Sequence, residues 1–387
     1  MTTRVLFHVQ HLLGIGHARR AAMLAAAMQR EGLAVTVLSG GEPLDLDWGG
    51  AEIVQLPWAR ARDQSFKPLV DVEDRPLDDG FHAKRRGLVL QALARWRPHV
   101  LLIESYPFGR RAFRVELDAL IAAARAQVPR AAVLSSIRDI LVAKDDPARS
   151  AGIVAQVRRD FDAVLVHGDR DLIPLEASFP AAAEIADRLR YTGYVAATPP
   201  SAREVPDTGE VLVSAGGGAV GLPLLQAALA ARPQTALADR RWRLIAGPNL
   251  PAADFARLAE QGEAGVVLER FRPDFPALLA GCHLSVSQGG YNTLLDVLQA
   301  RRRAVVVPFA RGGETEQRMR AQLLAARGLI HVVEEEALDR GSAGAGLAAA
   351  IADALAAPPP PALAVALDGA RRSAEAVAEV AREASLD

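Results

Sequence analysis

The segment Gly14-Ile15-Gly16-His17-Ala18-Arg19-Arg20 sets an imidazole directly after the apolar run Val5 to Val9, where a phosphate-binding turn would carry small residues. Arg19 stands where a dinucleotide fingerprint needs its third small residue, and the next strand candidate ends in "LSGGE" (Leu38 to Glu42) with no acid directly at its tip. Both departures argue against binding of a nicotinamide dinucleotide. What the segment offers instead is a histidine whose ordinary pKa suits proton transfer near neutral pH. A second segment, Ser285 to Gly328, places Gly289 and Gly290 at the entry to a helix, Asp296 about one and a half turns inside it, and the pair Glu316-Gln317 at the start of the next helix. Glycines at a helix N-terminus let a phosphate approach backbone N–H groups at the favourable end of the helix dipole. An acid at the distance of Asp296 suits vicinal hydroxyls such as those of a ribose. Together they form a grip for a nucleoside diphosphate built without lysine or metal.

Other candidates carry weaker chemistry. His8 and His11 are three residues apart, and strand alternation puts them on opposite faces, so they read as core or cleft histidines rather than a metal pair. Asp45-Leu46-Asp47 has the spacing of a metal-binding acidic pair but falls in a loop beyond the second strand, as a solvated turn would. Cys282-His283 has no companion ligands and reads as the approach to a buried strand. Arg110 and Arg111, with Arg138, suit either an anion clamp or a solvated helix start. Lys84-Arg85-Arg86-Gly87, with the nearby "RWRP", suits a basic membrane-facing patch or, more simply, a solvated helix face.

The elements that must position these groups follow from the pattern of the chain. Short β-branched runs alternate with alanine- and leucine-rich helical stretches, as parallel βαβ units do. Strand candidates are Val5 to Val9, Ala34 to Gly40, Glu52 to Pro57, His99 to Ser105, Ala131 to Asp139 and Ala163 to Asp169. After a proline-rich polar stretch the series restarts with Glu210 to Gly218, Arg241 to Gly247, Gly265 to Phe271, Leu284 to Gly290, Ala304 to Phe309 and Leu329 to Val333. The expected organisation is a first doubly wound α/β domain over residues 1–195, a linker over 196–209, a second such domain over 210–357, and a final segment, 358–387, whose helix crosses back to the first domain. The 387 residues, 50% hydrophobic and 24% charged, suffice for two cores. A net charge of -1 provides no global field for nucleic acid, and the one cysteine rules out an internal disulfide and a multi-cysteine zinc cage. No run has the length of a membrane span and the first residues lack a signal-peptide core, so a soluble cytoplasmic chain is expected.

At these residues the chain resembles the GT-B glycosyltransferases, and among them the MurG-like group that adds a sugar to lipid-linked carriers. The resemblance rests on the glycine-histidine loop with Gly14, Gly16, His17 and Arg20, on "SAGGGAVG" with Gly216, Gly217 and Gly218, and on G-x-x-T-x-x-[DE] followed by E-Q. It implies two Rossmann-like domains facing a cleft. It also implies a donor site formed by Gly216, Gly217, Gly218, Gln288, Gly289, Gly290, Asn292, Thr293 and Asp296, with Phe271 framing the base and Glu316 and Gln317 on the sugar hydroxyls. On the acceptor side it implies His17 as the base of an inverting transfer, Glu104 as its first-choice partner and Asp139 as the second, flanked by Gly14, Gly16, Arg20, Arg110, Arg111 and Arg138. A helix-capping role for His17 and a solvated strand-end role for Glu104 are the alternatives. The implied donor is a nucleoside-diphosphate sugar, a UDP-sugar first and a dTDP-sugar as the alternative, used as co-substrate without cofactor or metal. The acceptor is a small molecule or a lipid-linked one, with no nucleic-acid partner and a weak peripheral contact with the inner face of the membrane. "GIGHARR" is also similar to the G-x-G-H-x-x-R of nucleotide-sugar hydrolases, and a catalytically silent nucleotide-binding protein is a third reading. "ESYPFGRR" (Glu104 to Arg111) departs from the MurG pattern and leaves the acceptor open.

Overall fold

The computed structural model describes residues 2–12, 16–62, 68–141, 146–196, 207–216, 221–309, 315–361 and 365–384. The chain divides into two units, Met1–Val195 with Ala366–Asp387, and Ala196–Val365.

In the first unit, runs such as RVLFHV and VLLIE form strands whose side chains are buried on both faces, the condition of a parallel sheet covered by helices. The strands are β1 (Arg4–Val9), β2 (Ala34–Ser39), β3 (Glu52–Gln55), β6 (Val100–Glu104), β7 (Ala132–Arg138), β8 (Ala163–His167) and β9 (Leu189–Tyr191), all parallel, in the order β3-β2-β1-β6-β7-β8-β9. Two short strands, β4 (Arg60–Ala61) and β5 (Leu69–Val70), form a separate antiparallel pair that the sequence pattern does not announce. The helices are α1 (Gly16–Arg30), α2 (Asp79–Trp96), α3 (Arg114–Arg125) and α4 (Pro147–Asp160). Asp78 starts α2 by accepting from the Phe81 amide, and Asp146 starts α4 in the same way from Arg149, with Pro147 in the first turn. Successive strands step outward from β1 to β3, then restart at β6 on the other side of β1. The switch point therefore lies between β1 and β6, the place where open α/β sheets bind ligands beyond the strands' carboxyl ends.

The second unit repeats this plan with β10 (Val211–Ser214), α5 (Leu222–Ala231), β11 (Trp242–Ile245), α6 (Ala252–Glu260), β12 (Val266–Glu269), α7 (Phe275–Gly281), β13 (Leu284–Gln288), α8 (Tyr291–Ala300), β14 (Ala304–Val307), α9 (Glu316–Ala325), β15 (His331–Val332) and α10 (Ala345–Ala356). The order β12-β11-β10-β13-β14-β15 puts its switch point between β10 and β13. The last helix, α11 (Gly369–Glu383), belongs to the first unit, where Ala374, Val377, Val380 and Ala381 share one apolar cluster with Ala21, Leu24, Ala25 and Met28 of α1. Its entry is held by hydrogen bonds from the Tyr194 amide to the Ala366 carbonyl, 2.7 Å, and from the Gly369 amide to the Tyr194 carbonyl, 3.0 Å. A Cβ on Gly369 would lie 2.2 Å from the Gly193 carbonyl oxygen, so only glycine permits this approach. Among the described residues no helix is long and apolar enough to cross a membrane.

Candidate active site

The groups at the first switch point converge on one carboxylate. Glu104 ends β6 and is 1% exposed. His17 lies in the first turn of α1, and Arg20 follows on the same helix face three residues later. His17 Nδ1 hydrogen-bonds Glu104 Oε1, and Arg20 Nη2 donates to that oxygen at 2.7 Å. Arg110 Nη2 donates to the other oxygen, Oε2, at 3.2 Å, while its Nε donates to the Gln10 carbonyl at 2.6 Å. Burial alone would raise the Glu104 carboxyl, but the charge of His17 and of Arg110, with the His17 hydrogen bond and Arg20, holds it well below the usual carboxylate range. At neutral pH the two arginines supply this effect, because His17 is itself neutral there. Its pKa is pushed down to about 3, first by burial and then by the Arg138 charge, against the opposing pull of Glu104. An ionised Glu104 accepts, so Nδ1 carries the ring proton and Nε2 keeps a lone pair. The His17 side chain is 23% exposed, which leaves the ring accessible.

These contacts decide several sequence-level alternatives. His17 sits in a helix rather than on the preceding loop, and its Nδ1 serves Glu104 rather than a helix amide. Glu104 is buried, not a solvated strand end. Asp139, the alternative partner, is buried after β7 and its Oδ1 accepts from the Ile140 amide at 2.9 Å. Arg111 is exposed on the turn Arg111–Phe113, and Arg138 ends β7 half-buried. Gly16 opens α1, while Gly14 lies outside the described residues.

In the second unit, Gly216 after β10 and the glycine pair after β13 lie near the start of α8. Gly216 has φ +69°, and a Cβ there would meet nothing closer than Thr293 Oγ1 at 4.0 Å; a Cβ on Gly290 would find the same oxygen at 3.8 Å. A Cβ on Gly289 would crowd the Pro308 Cα at 3.2 Å and reach Gln317 Oε1 at 3.5 Å. Gly216, Gly289, Gly290, Thr293 and Gln317 thus surround one region. The helix beyond it has glycine at its N-cap, with no side-chain cap and no acid in its first turn. Asp296 lies on α8 three residues after Thr293, half-buried, and Gln288 ends β13, buried. Asn292 is exposed on α8, and Phe271, beyond β12, is 61% exposed. Glu316 is buried, and Arg320 Nη2 donates to its Oε1 at 2.9 Å within α9. Gln317 Oε1 accepts from the Phe309 amide at 3.2 Å. Gly217 and Gly218 lie outside the described residues.

In the basic run Lys84 to Gly87, Lys84 and Arg86 are exposed on α2, as a solvated face requires, whereas Arg85 turns inward. Arg85 is completely buried and donates to both oxygens of Glu116, at 2.7 and 2.6 Å, to Gln10 Oε1 at 2.9 Å and to the Pro57 carbonyl at 2.8 Å. Its guanidinium also lies 4.7 Å from the Phe113 ring centroid. His8 joins the same network, 3.3 Å from Glu116. Gln10 and His11 explain "LSGGE": a Cβ on Gly40 would lie 2.2 Å from Gln10 Oε1, and one on Gly41 2.3 Å from the His11 ring. Asp45 and Asp47 are exposed, and Asp47 Oδ1 accepts from the Gly49 amide at 2.8 Å, as in a solvated turn. Cys282 is buried, and burial pushes its thiol up to about 12. Sequence reasoning also missed His167, buried at the end of β8 and hydrogen-bonded to Ser136 Oγ at 2.7 Å and Thr192 Oγ1 at 3.0 Å. Its place at the end of a parallel strand was the available signal.

Two parallel doubly wound sheets, each with its candidate groups gathered at its own switch point, give the chain the GT-B fold. Over its whole length the chain is similar in fold to MurG of Acinetobacter baumannii (16% identity, 100% of both chains, TM-score 0.61). It is similar also to CalG4, the calicheamicin glycosyltransferase (18% identity, 100% of this chain and 98% of that one, TM-score 0.59). A ugt transferase from Siraitia grosvenorii in complex with UDP matches over 99% of this chain and 95% of its own, at 13% identity and TM-score 0.56. Residues 211–373 match the glycosyltransferase family 28 C-terminal domain.

Proposed function

We propose that this enzyme transfers a sugar, with inversion, from a UDP-linked donor to an acceptor hydroxyl without a metal ion. The observation that carries the reading is the His17–Glu104 pair at the first switch point, with Nδ1 committed to the carboxylate and Nε2 left to accept a proton. In this reading Nε2 takes the acceptor's hydroxyl proton as its oxygen attacks the anomeric carbon. The bond from that carbon to the diphosphate oxygen breaks, and its electron pair leaves with the diphosphate. Glu104 stabilises the imidazolium that forms. The diphosphate is held by the amides that open α8 and by the loop at Gly216, where the helix dipole favours the developing charge. Thr293 and Asp296 share one face of that helix, the acid serving the ribose. The negative charge of bound donor raises the proton affinity of the histidine, so the base strengthens once substrate is present.

The complex of a structurally similar transferase with UDP supports a uridine donor. A donor panel scored for released nucleotide, with and without EDTA, tests the reading, and NMR of the product reads the anomeric configuration. Retention at the anomeric carbon, or turnover abolished by EDTA and restored by magnesium or manganese, refutes it. A second reading, hydrolysis of the nucleotide sugar, is favoured by the spacing Gly14-x-Gly16-His17-x-x-Arg20. Free sugar formed at a rate indifferent to every added acceptor would establish it, and nucleotide binding without donor consumption would indicate a silent binding protein.

A further inference from the structure

A histidine hydrogen-bonded to a buried carboxylate ordinarily gains affinity for protons, because the negative charge favours the imidazolium. Such a ring would hold a proton over more of the neutral range, and only its unprotonated fraction could act as a base. The surroundings of this pair oppose that outcome. Arg20, from α1, and Arg110, from the segment between β6 and α3, donate to different oxygens of Glu104, so the carboxylate is gripped from two sides while still receiving His17 Nδ1. Arg110 reaches it from left-handed backbone, φ 59°, and Ser105, the residue after Glu104, is also left-handed, φ 65°. Non-glycine residues hold this conformation only where the surrounding structure over-determines it, and such positions gather at functional sites. Arg138, at the end of β7, adds a third positive charge. Among the described residues, His11 beyond β1 and His167 on β8 also sense this cluster, and burial pushes both of them down, with Glu42 pulling the other way on His11.

We propose that Arg110 and Arg20 are positioning residues that hold Glu104 as an oriented carboxylate, and that with Arg138 their charge keeps the His17 ring unprotonated beside it. The proposal rests on the reading of His17 as the base, and the experiment separates the two. Nitrogen-15 spectra of histidine-labelled full-length protein read the tautomer and titration midpoint of His17, its signals assigned by their loss in His17→Gln. The wild type is expected to show the Nδ1–H tautomer and a midpoint well below that of free histidine. Arg110→Gln should raise the midpoint by about one pH unit or more, the scale of a single nearby charge, while Arg110→Lys restores most of the wild-type value. Arg20 is buried, and its replacement risks the fold. Arg138→Gln, at a half-buried residue that ends β7, is therefore the second variant, with a rise expected there too. The acidic limb of kcat/KM should move with the midpoint, which a merely structural loss would not cause. A midpoint that moves without the limb supports the clamp and removes His17 from the role of base. A midpoint unchanged in both Arg110→Gln and Arg138→Gln overturns the proposal.

Discussion

His17→Ala removes a ring that joins the Glu104 cluster while keeping part of its surface accessible, and the size of its effect follows from what the ring touches. Positioned general bases contribute about 10²–10⁴ in rate, or roughly 3–5 kcal/mol of barrier at 1.36 kcal/mol per factor of ten. The imidazole hydrogen-bonds within the first unit, whereas the proposed nucleotide grip lies on the second, so nucleotide affinity should stay within about twofold, roughly 0.4 kcal/mol. Glu104→Gln keeps the shape of the partner and removes its charge. A hydrogen bond to a charged group is worth about 1.5–3 kcal/mol, so turnover should fall by roughly 10–150-fold, less than for loss of the ring. In a His17→Ala background the same change should add almost nothing, because the carboxylate then has no ring to orient. Single-turnover kinetics on the four proteins, beside UDP titration by calorimetry, supply every term. Because the ring is held far below its ordinary pKa in the resting site, the acidic limb of kcat/KM should lie well below pH 6.5 in the wild type and vanish in His17→Ala. The limb of kcat should sit higher, since bound donor restores proton affinity. Near-full turnover by His17→Ala, or full additivity with Glu104→Gln, would refute the pairing as the catalytic device, and Asp139 would be the next acid to test.

Three further outcomes follow from the same contacts. Asp296→Ala should weaken UDP binding by about 1.5–3 kcal/mol, whereas Asp45→Ala, in an exposed turn, should leave it unchanged; equal effects in calorimetry would misplace the ribose. His17 and His167 are both pushed down to about 3, so between pH 6.5 and about 3 the unfolded chain binds protons at these rings that the folded chain refuses. Stability should therefore decline as pH falls through that window, visible as a lower urea midpoint at pH 5 than at pH 7, and His167→Gln should lessen the decline. Glu116→Ala strands the buried Arg85 charge and should cost about 3–5 kcal/mol. Arg85→Met with Glu116→Leu should cost clearly less in the same unfolding assay, because neither charge is left uncompensated.

The alternation of β-branched and alanine-rich segments was enough to fix two parallel α/β sheets, since only a strand covered on both faces can be apolar throughout, and runs such as Val100–Glu104 are buried end to end. The glycine pair at 289–290 and the restart after the proline-rich stretch were equally local signals, tied to backbone freedom and chain composition. Strand order was not local. Only the folded sheet sets β6 beside β1, bringing the end of one strand to the helix that follows the other and closing an 87-residue separation between His17 and Glu104 into a hydrogen bond. Charge patterning misled for the same reason: Arg85 reads as one of three basic neighbours on a helix, yet its depth depends on Glu116, Gln10 and Phe113, which lie on other elements. Residue type and spacing along one element are written in the chain itself. Whether a charge is solvated, paired or held against a histidine depends on the dielectric and the partners that packing supplies, and those exist only after the sheet has assembled.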